Sequence, residues 1–413
     1  VTRGVGVVKK PRVTSPARVL TLLPPAAIAL YASFQGVQAI LVPDRVEAID
    51  AAAKVSNMAA LTVICAATGV AGLVAVGAAS DATSGGFGRR APWLAGMAAL
   101  SLVLAALLAQ QRTIAGVALC YGGLWFTLNG FQAALLAVAP DRVPARLRAR
   151  ASSLFAVAGP IGGLLGVNLA AWLAPEISYL ALFGALALTA GLFLWLAREP
   201  PFLDATPAQP RARIGWAALS SFRSRDFTLA FGFRVLMFSG QFAINNYLLY
   251  ILRDYVGAAA LPGHDPRGAT GLIGGLRTLA TLAAILCGHR LAERTSQRRV
   301  FAQGYAALMA VAMLVPVLSP TWAGMLVFAG IGGLAMGGYA VIDLTLMTAV
   351  LPHTRTAGRD LALLVMAGAT AQFVAPTLAS VLIGRFGYAS VFLAGALLTV
   401  AAGFVVGQLR GVD

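Results

Sequence analysis

Long stretches without charge limit this chain more than any other feature. Val55 to Ser80, Ala91 to Gln111 and Val300 to Ile342 contain no Asp, Glu, Lys or Arg. A helix of roughly 20 apolar residues crosses the hydrocarbon of a bilayer while satisfying its own backbone. Composition extends the point to the whole chain: 59% of its 413 residues are hydrophobic, 11% are charged and mean hydropathy is +0.81. Globular domains carry about 25% charged residues. The reading is an all-α polytopic membrane protein embedded in lipid.

Twelve transmembrane helices are expected, at 19–43, 56–79, 91–110, 114–138, 151–173, 178–197, 227–252, 269–288, 300–318, 321–350, 361–384 and 388–409. The ninth and tenth share one uncharged run, too long for a single crossing and broken by Pro316 and Pro320. Residues 198–226, with Pro200, Pro201, Pro207, Pro210 and five arginines, read as a polar linker. It separates a six-helix bundle at 19–197 from a second at 227–413, behind an N-terminal tail at 1–18. That basic tail and the apolar stretch after it resemble a signal peptide. Cleavage would leave an odd number of spans, so the stretch reads as a retained first helix.

The net charge of +16 would suggest nucleic acid in a soluble domain, but here it marks a membrane side. With both termini cytoplasmic, 22 of the 31 Lys and Arg fall inside and six outside: Arg45, Lys54, Arg112, Arg253, Arg267 and Arg385. The expected location is the cytoplasmic membrane, with no nucleic-acid partner. Cys65, Cys120 and Cys287 sit in apolar segments and read as small hydrophobes. His264, His289 and His353 are scattered without ligand spacing, so neither a metal nor another cofactor is expected. His353 near Asp360 and His289 near Glu293 are the thin basis for a rival reading, a polytopic membrane enzyme.

Between the second and third spans lies a loop with Gly77, Asp81, Gly88, Arg89 and Arg90. Gly288 to Arg299, with Glu293-Arg294 and Arg298-Arg299, is a worn copy of it after the eighth span. Leu136 to Arg150 similarly resembles Met347 to Arg359: an apolar end, a proline (Pro140, Pro352), then spaced arginines. Six-helix halves built as repeats are the plan of one large class of secondary transporters.

On these residues the chain resembles the major facilitator superfamily, whose loop signature is Gly-x-x-x-Asp-Arg/Lys-x-x-Gly-Arg-Arg or close to it. The longer spacing ending in Pro92-Trp93, and the Asn245 to Asp254 ending of helix seven, are similar to the glycoside–pentoside–hexuronide, or melibiose-permease-like, branch. Two departures stand out. Ala82 replaces the basic residue after the motif aspartate, so Arg89, Arg90 or the arginines at 142–150 must supply the cation. Gly159-Pro160-Ile161-Gly162-Gly163 is one residue short of an exporter motif, and its plain reading is close helix packing.

The resemblance implies that helices 1, 4, 7 and 10 line a central cavity and that 3, 6, 9 and 12 face lipid. Polar residues sort accordingly. Gln35 and Gln38, Asn129 and Gln132, and Gln241, Asn245 and Asn246 fall on helices one, four and seven. Asn168, Arg277 and Gln372 fall on flanking helices. Each amide is as good a candidate for interhelical glue as for substrate contact. Arg234 and Asp343 lie at matched depth, about 12 Å from one face at 1.5 Å per residue. They are candidates for an ion pair, with Asp343 alternatively a proton site. Arg277 has no acid at its depth; it either binds an anionic group or snorkels to the surface.

The expected function is secondary transport of a small organic solute by alternating access, by a monomer, with export favoured slightly and coupling to protons left open. Trp125, Phe126, Phe238 and Phe242 are read as apolar cavity walls. The alternative is a sugar or glycoside importer. Asp81 and its arginines are expected to form the gating motif.

Overall fold

The computed structural model describes residues 15–200, 216–292, 298–351 and 357–410. Its twelve long helices are α1 (Pro16–Ile49), α2 (Lys54–Ala82), α3 (Ala91–Leu108), α4 (Ile114–Arg142), α5 (Ala145–Trp172), α6 (Pro175–Leu196), α7 (Arg225–Asn245), α8 (Pro266–Ala292), α9 (Arg298–Leu318), α10 (Trp322–Ala349), α11 (Ala357–Phe386) and α12 (Ala389–Gly407). The tail before Ser15, most of the linker, Glu293-Arg294 and Pro352 lie outside the described residues.

Local chemistry sets the helix starts. Pro16, Pro92 and Pro175 occupy first-turn positions, where a missing N–H costs nothing. Thr113 and Thr321 cap α4 and α10, each hydroxyl accepting from the N–H of a glycine three residues on, Gly116 and Gly324, at 3.2 Å. Corresponding helices of the two halves thus begin with the same Thr-x-Ala-Gly device.

The helices overrun the apolar segments. α1 continues to Ile49, and α5 starts at Ala145, so Arg146 and Arg148 are helical. Helix propensity does not stop at the hydrocarbon boundary, and the charged turns project beyond it. α1 contains a wider, π-type turn at Val37–Leu41. α7 breaks at Asn246-Tyr247 and resumes as Leu248–Tyr250 and a second wide turn, Ile251–Gly257. Such turns collect at functional sites.

Packing divides the helices six and six. In the first half α1 packs on α5 and α6, and α4 on α2 and α3; in the second, α7 packs on α11 and α12, and α10 on α8 and α9. Glycines set the closest approaches. A Cβ on Gly72 of α2 would lie 2.1 Å from the Phe126 carbonyl oxygen of α4. One on Gly333 of α10 would lie 2.5 Å from that of Arg277 on α8. Gly162 and Gly166 seat α5 on α1 in the same way, against Ile28 and Ala32. Within the Gly-Pro stretch, Gly162 thus takes the packing role expected, whereas a Cβ on Gly159 would meet nothing within 4 Å. Helices α3, α6, α9 and α12 present exposed apolar side chains such as Val103, Leu188, Val311 and Phe404, the face a bilayer covers.

α2 runs 29 residues, so Lys54 and Asp81 stand at opposite membrane ends. These are called the Glu47 end and the Asp81 end below.

Candidate functional site

A cavity of about 260 Å³ lies between the halves. Its position follows from how α5 and α8 meet. Near the Glu47 end they touch through small residues: Gly271 faces Ala171 and Asn168, and Gly275 faces Leu164. One turn further the contact parts, and Gly159, Pro160 and Gly163 of α5 face the cavity with Arg277, Thr278 and Thr281 of α8. α1 contributes Gln35, α7 contributes Phe238, Gln241, Phe242 and Asn245, and α10 contributes Met336.

Arg277 donates through Nη1 to Asn245 Oδ1. Phe238 and Phe242 stack at 6.1 Å between centroids, 30° apart, forming an apolar wall. The wall does not include the other two expected aromatics. Trp125 is buried against Phe34 and Tyr121, and Phe126 takes part in the α2–α4 approach. Neither lines the cavity: Trp125 packs within the first half, and the Phe126 backbone is the surface that Gly72 meets.

The remaining candidate amides are structural in this conformation. Asn129 donates to Trp125 O at 2.8 Å, Gln132 to Tyr31 Oη at 3.3 Å, and Asn168 to Leu164 O at 2.8 Å. Gln38 donates to Asn246 Oδ1 at 2.6 Å across the halves. Gln372 is half-buried on α11 and does not line the cavity.

Arg234 and Asp343 form an ion pair joining α7 to α10. Tyr339 Oη donates to the same carboxylate, and Arg234 Nε donates to Leu364 O of α11 at 3.0 Å. Three helices of the second half converge on this one guanidinium.

At the Glu47 end the halves are bonded directly, which the sequence did not reveal. Lys54 pairs with Glu47 at 2.8 Å and with Asp254 at 2.7 Å. Arg253 pairs with Glu47, and with Asp44 at 3.5 Å. Tyr250 Oη donates to Pro43 O at 2.8 Å, and Arg267 Nη2 donates to Ala170 O at 2.6 Å, at the C-terminus of α5, where a cation is favoured. Tyr388 Oη donates to Asp254 at 2.7 Å. Burial, then this carboxylate bond, holds its phenol pKa above the ordinary value, so it stays a donor. The only available signal was the density of Asp44, Glu47, Lys54, Arg253 and Asp254 at two helix ends.

At the Asp81 end the motif closes on itself. Arg90, 3% exposed, binds Asp81 at 2.6 Å, Asp141 at 2.8 Å and Ser80 Oγ at 2.6 Å; Arg89 binds Asp81 at 3.2 Å. Burial opposes the Arg90 charge, but the bonds to Asp141 and Asp81 outweigh it and raise its pKa. Glu199 Oε2 accepts from the N–H groups of Arg90 and Ala91 at 2.8 and 2.9 Å, capping α3. Gly88, at φ +86°, has no room for a Cβ beside that glutamate, 2.5 Å away. The cation absent at Ala82 is thus replaced from the other end of the loop. A larger groove of about 830 Å³, lined by Phe87, Pro92 and Trp195 among others, belongs to the first half alone and is separate from the cavity.

Twelve spanning helices in two matched halves, with a mostly apolar cavity between them that holds a few polar side chains, define a transporter-type membrane protein. The profile of the Major Facilitator Superfamily matches residues 23–263 and 248–410. The chain therefore belongs to that superfamily, as a transporter and not an enzyme. Among solved structures it is similar to the nucleoside transporter NupG (D323A mutant), at 13% identity over 95% of this chain and 99% of that one, TM-score 0.74. It is also similar to a bacterial homologue of the human lysosomal transporter Spinster, inward-facing and occupied, at 12% identity over 96% and 97%, TM-score 0.68. The human organic anion transporter MFSD10 (TETRAN) matches at 16% identity over 96% and 100%, TM-score 0.61. At these identities the likeness is one of fold. No curated relative matches by sequence.

Proposed function

We propose that this protein is a secondary transporter that carries a small organic solute by alternating access, its halves rocking about the cavity. The observation that carries the reading is the pairing of that cavity with a set of bonds between halves at one end. Glu47, Lys54, Arg253, Asp254 and Arg267 join the halves where access would otherwise open. The positive-inside imbalance supports a cytoplasmic Asp81 end, both termini cytoplasmic, and a location in the cytoplasmic membrane. A single-chain cavity supports action as a monomer.

Counterflow in proteoliposomes across a broad solute panel tests the proposal. Flux of at least one solute is expected, and its absence throughout would remove the transport reading. Stacked Phe238 and Phe242 with few polar groups favour a small, mostly apolar solute and, with that chemistry, export. The alternative, a sugar or glycoside importer of the melibiose-permease-like type, draws on Gln35, Gln241 and Asn245, donors and acceptors suited to hydroxyls. Proton coupling would run through Asp343, which Arg234 and Tyr339 hold in this conformation. Under that mechanism Asp343→Asn abolishes flux driven by a pH gradient while leaving counterflow. Unchanged gradient-driven flux would take Asp343 out of coupling.

A further inference from the structure

We infer that the cavity selects a small organic anion, a carboxylate on a flat or slender apolar body, with Arg277 as its counter-charge. The inference rests on the transport reading and names the class of solute. Arg277 is the single charged side chain among the described residues lining the cavity. Among the described residues its hydrogen-bond partner is the neutral Oδ1 of Asn245, taken by Nη1. Nε and Nη2 have no acceptor among the described residues and are not sealed from access, on a side chain that lines the cavity.

The contrast with Arg234 sharpens the point. Arg234 and Arg277 both lie well inside second-half helices, away from the helix ends, and Arg234 is neutralised by Asp343 and held by Leu364 O. Among the described residues no carboxylate meets Arg277 in this way. A cation held away from bulk water without an acid is costly unless an anion or water meets it. Snorkelling would relieve that cost, but the Arg277 head is turned to Asn245 on the neighbouring helix and toward the cavity.

A guanidinium presents parallel N–H donors in a planar fork that matches the two oxygens of a carboxylate. Asn245 occupies one arm and fixes the plane, leaving Nε and Nη2 for the ligand. Phe238 and Phe242 supply the apolar side of the same space. The volume of about 260 Å³ lies under the range of drug-sized pockets, which restricts the body to about one ring or a short chain.

The test is equilibrium binding to the purified full chain, using two acid and amide pairs: phenylacetate with phenylacetamide, and hexanoate with hexanamide. Each acid is expected to bind about tenfold more tightly than its amide. Arg277→Ala removes that preference, and Arg277→Lys, checked for the same elution and unfolding midpoint as the parent, retains part of it. Amides binding as well as acids, no binding by any of the four, or a preference that survives Arg277→Ala would each overturn the inference. Counterflow of the same probes separates the layers. Acids that bind through Arg277 but never exchange would leave the anion site standing and overturn transport; flux of neutral solutes alone would do the reverse.

Discussion

Charge gathers at both ends of this molecule, and the two clusters are wired differently. At the Asp81 end, Arg90, Asp81, Asp141 and Glu199 tie α2, α3 and α4 to the chain leaving α6, all on the first-half side. At the Glu47 end, Lys54 and Arg253 tie the first half to the second. Bonds of the first kind can survive a rocking motion intact. Under the proposed rocking mechanism, bonds of the second kind break in every cycle, so they have to be individually weak. The exposure of the two central arginines fits this: the Arg253 side chain is 29% exposed, whereas that of Arg90 is 4%. Under that mechanism, stability and switching fall to different charges.

The sharpest way to break that comparison is Arg90→Met. Two carboxylates would lose a buried partner, at a cost of about 3 kcal/mol. A large fall in the unfolding midpoint in detergent is expected, and a parent-like midpoint would erase the distinction. Asp81→Ala comes next. It leaves Arg90 its bond to Asp141, so a several-fold loss of turnover with nearly normal affinity is expected from transport kinetics. Normal turnover with a large loss of affinity would mean that Asp81 serves the cavity instead.

Arg253→Ala removes bonds between the halves at a partly exposed site, worth about 1 kcal/mol. It should shift the conformational equilibrium about fivefold with little change in midpoint. Spin labels at Ala52 and Ala259 would read this as a new, longer distance population, and high salt should act in the same direction. An unaltered distance distribution would show that these pairs do not hold the halves. The smallest effect expected is for Glu199→Gln, which keeps an acceptor at the start of α3 and loses only its charge, about 0.5 kcal/mol. A loss as large as that of Arg90→Met would mean that Glu199 belongs to the hub rather than the cap.

Much of the fold was legible because a bilayer asks a one-dimensional question. Twelve apolar runs, a polar divider and a repeated loop answer it along the chain. The matched caps Thr113-Ile-Ala-Gly116 and Thr321-Trp-Ala-Gly324 were also readable there, and mark the repeat more cleanly than the loops do. The candidate site was legible only as residue types. Gln35, Gln241, Asn245 and Arg277 line the cavity, while Asn129, Gln132 and Asn168 bond their own or adjacent helices. Nothing in their spacing separates the two groups, because an amide costs the same in hydrocarbon whether a helix or a substrate meets it. The basic residues assigned to the less basic face teach a similar lesson. Arg45, Lys54, Arg253 and Arg267 each hold a carboxylate or a helix end, so a census of charge misses their work.

The sequence by itself determined that this chain spans a membrane in two repeated halves, since apolar length and charge placement are local properties that lipid and water read directly. Tertiary structure decided the rest. It brought Arg90 to the vacancy left by Ala82, placed Glu199 at the start of α3, and gave Arg234 an acid while leaving Arg277 facing the cavity. Those outcomes depend on which helix faces meet. That is set by close approaches such as Gly72 to Phe126 and Gly333 to Arg277, between residues more than fifty positions apart.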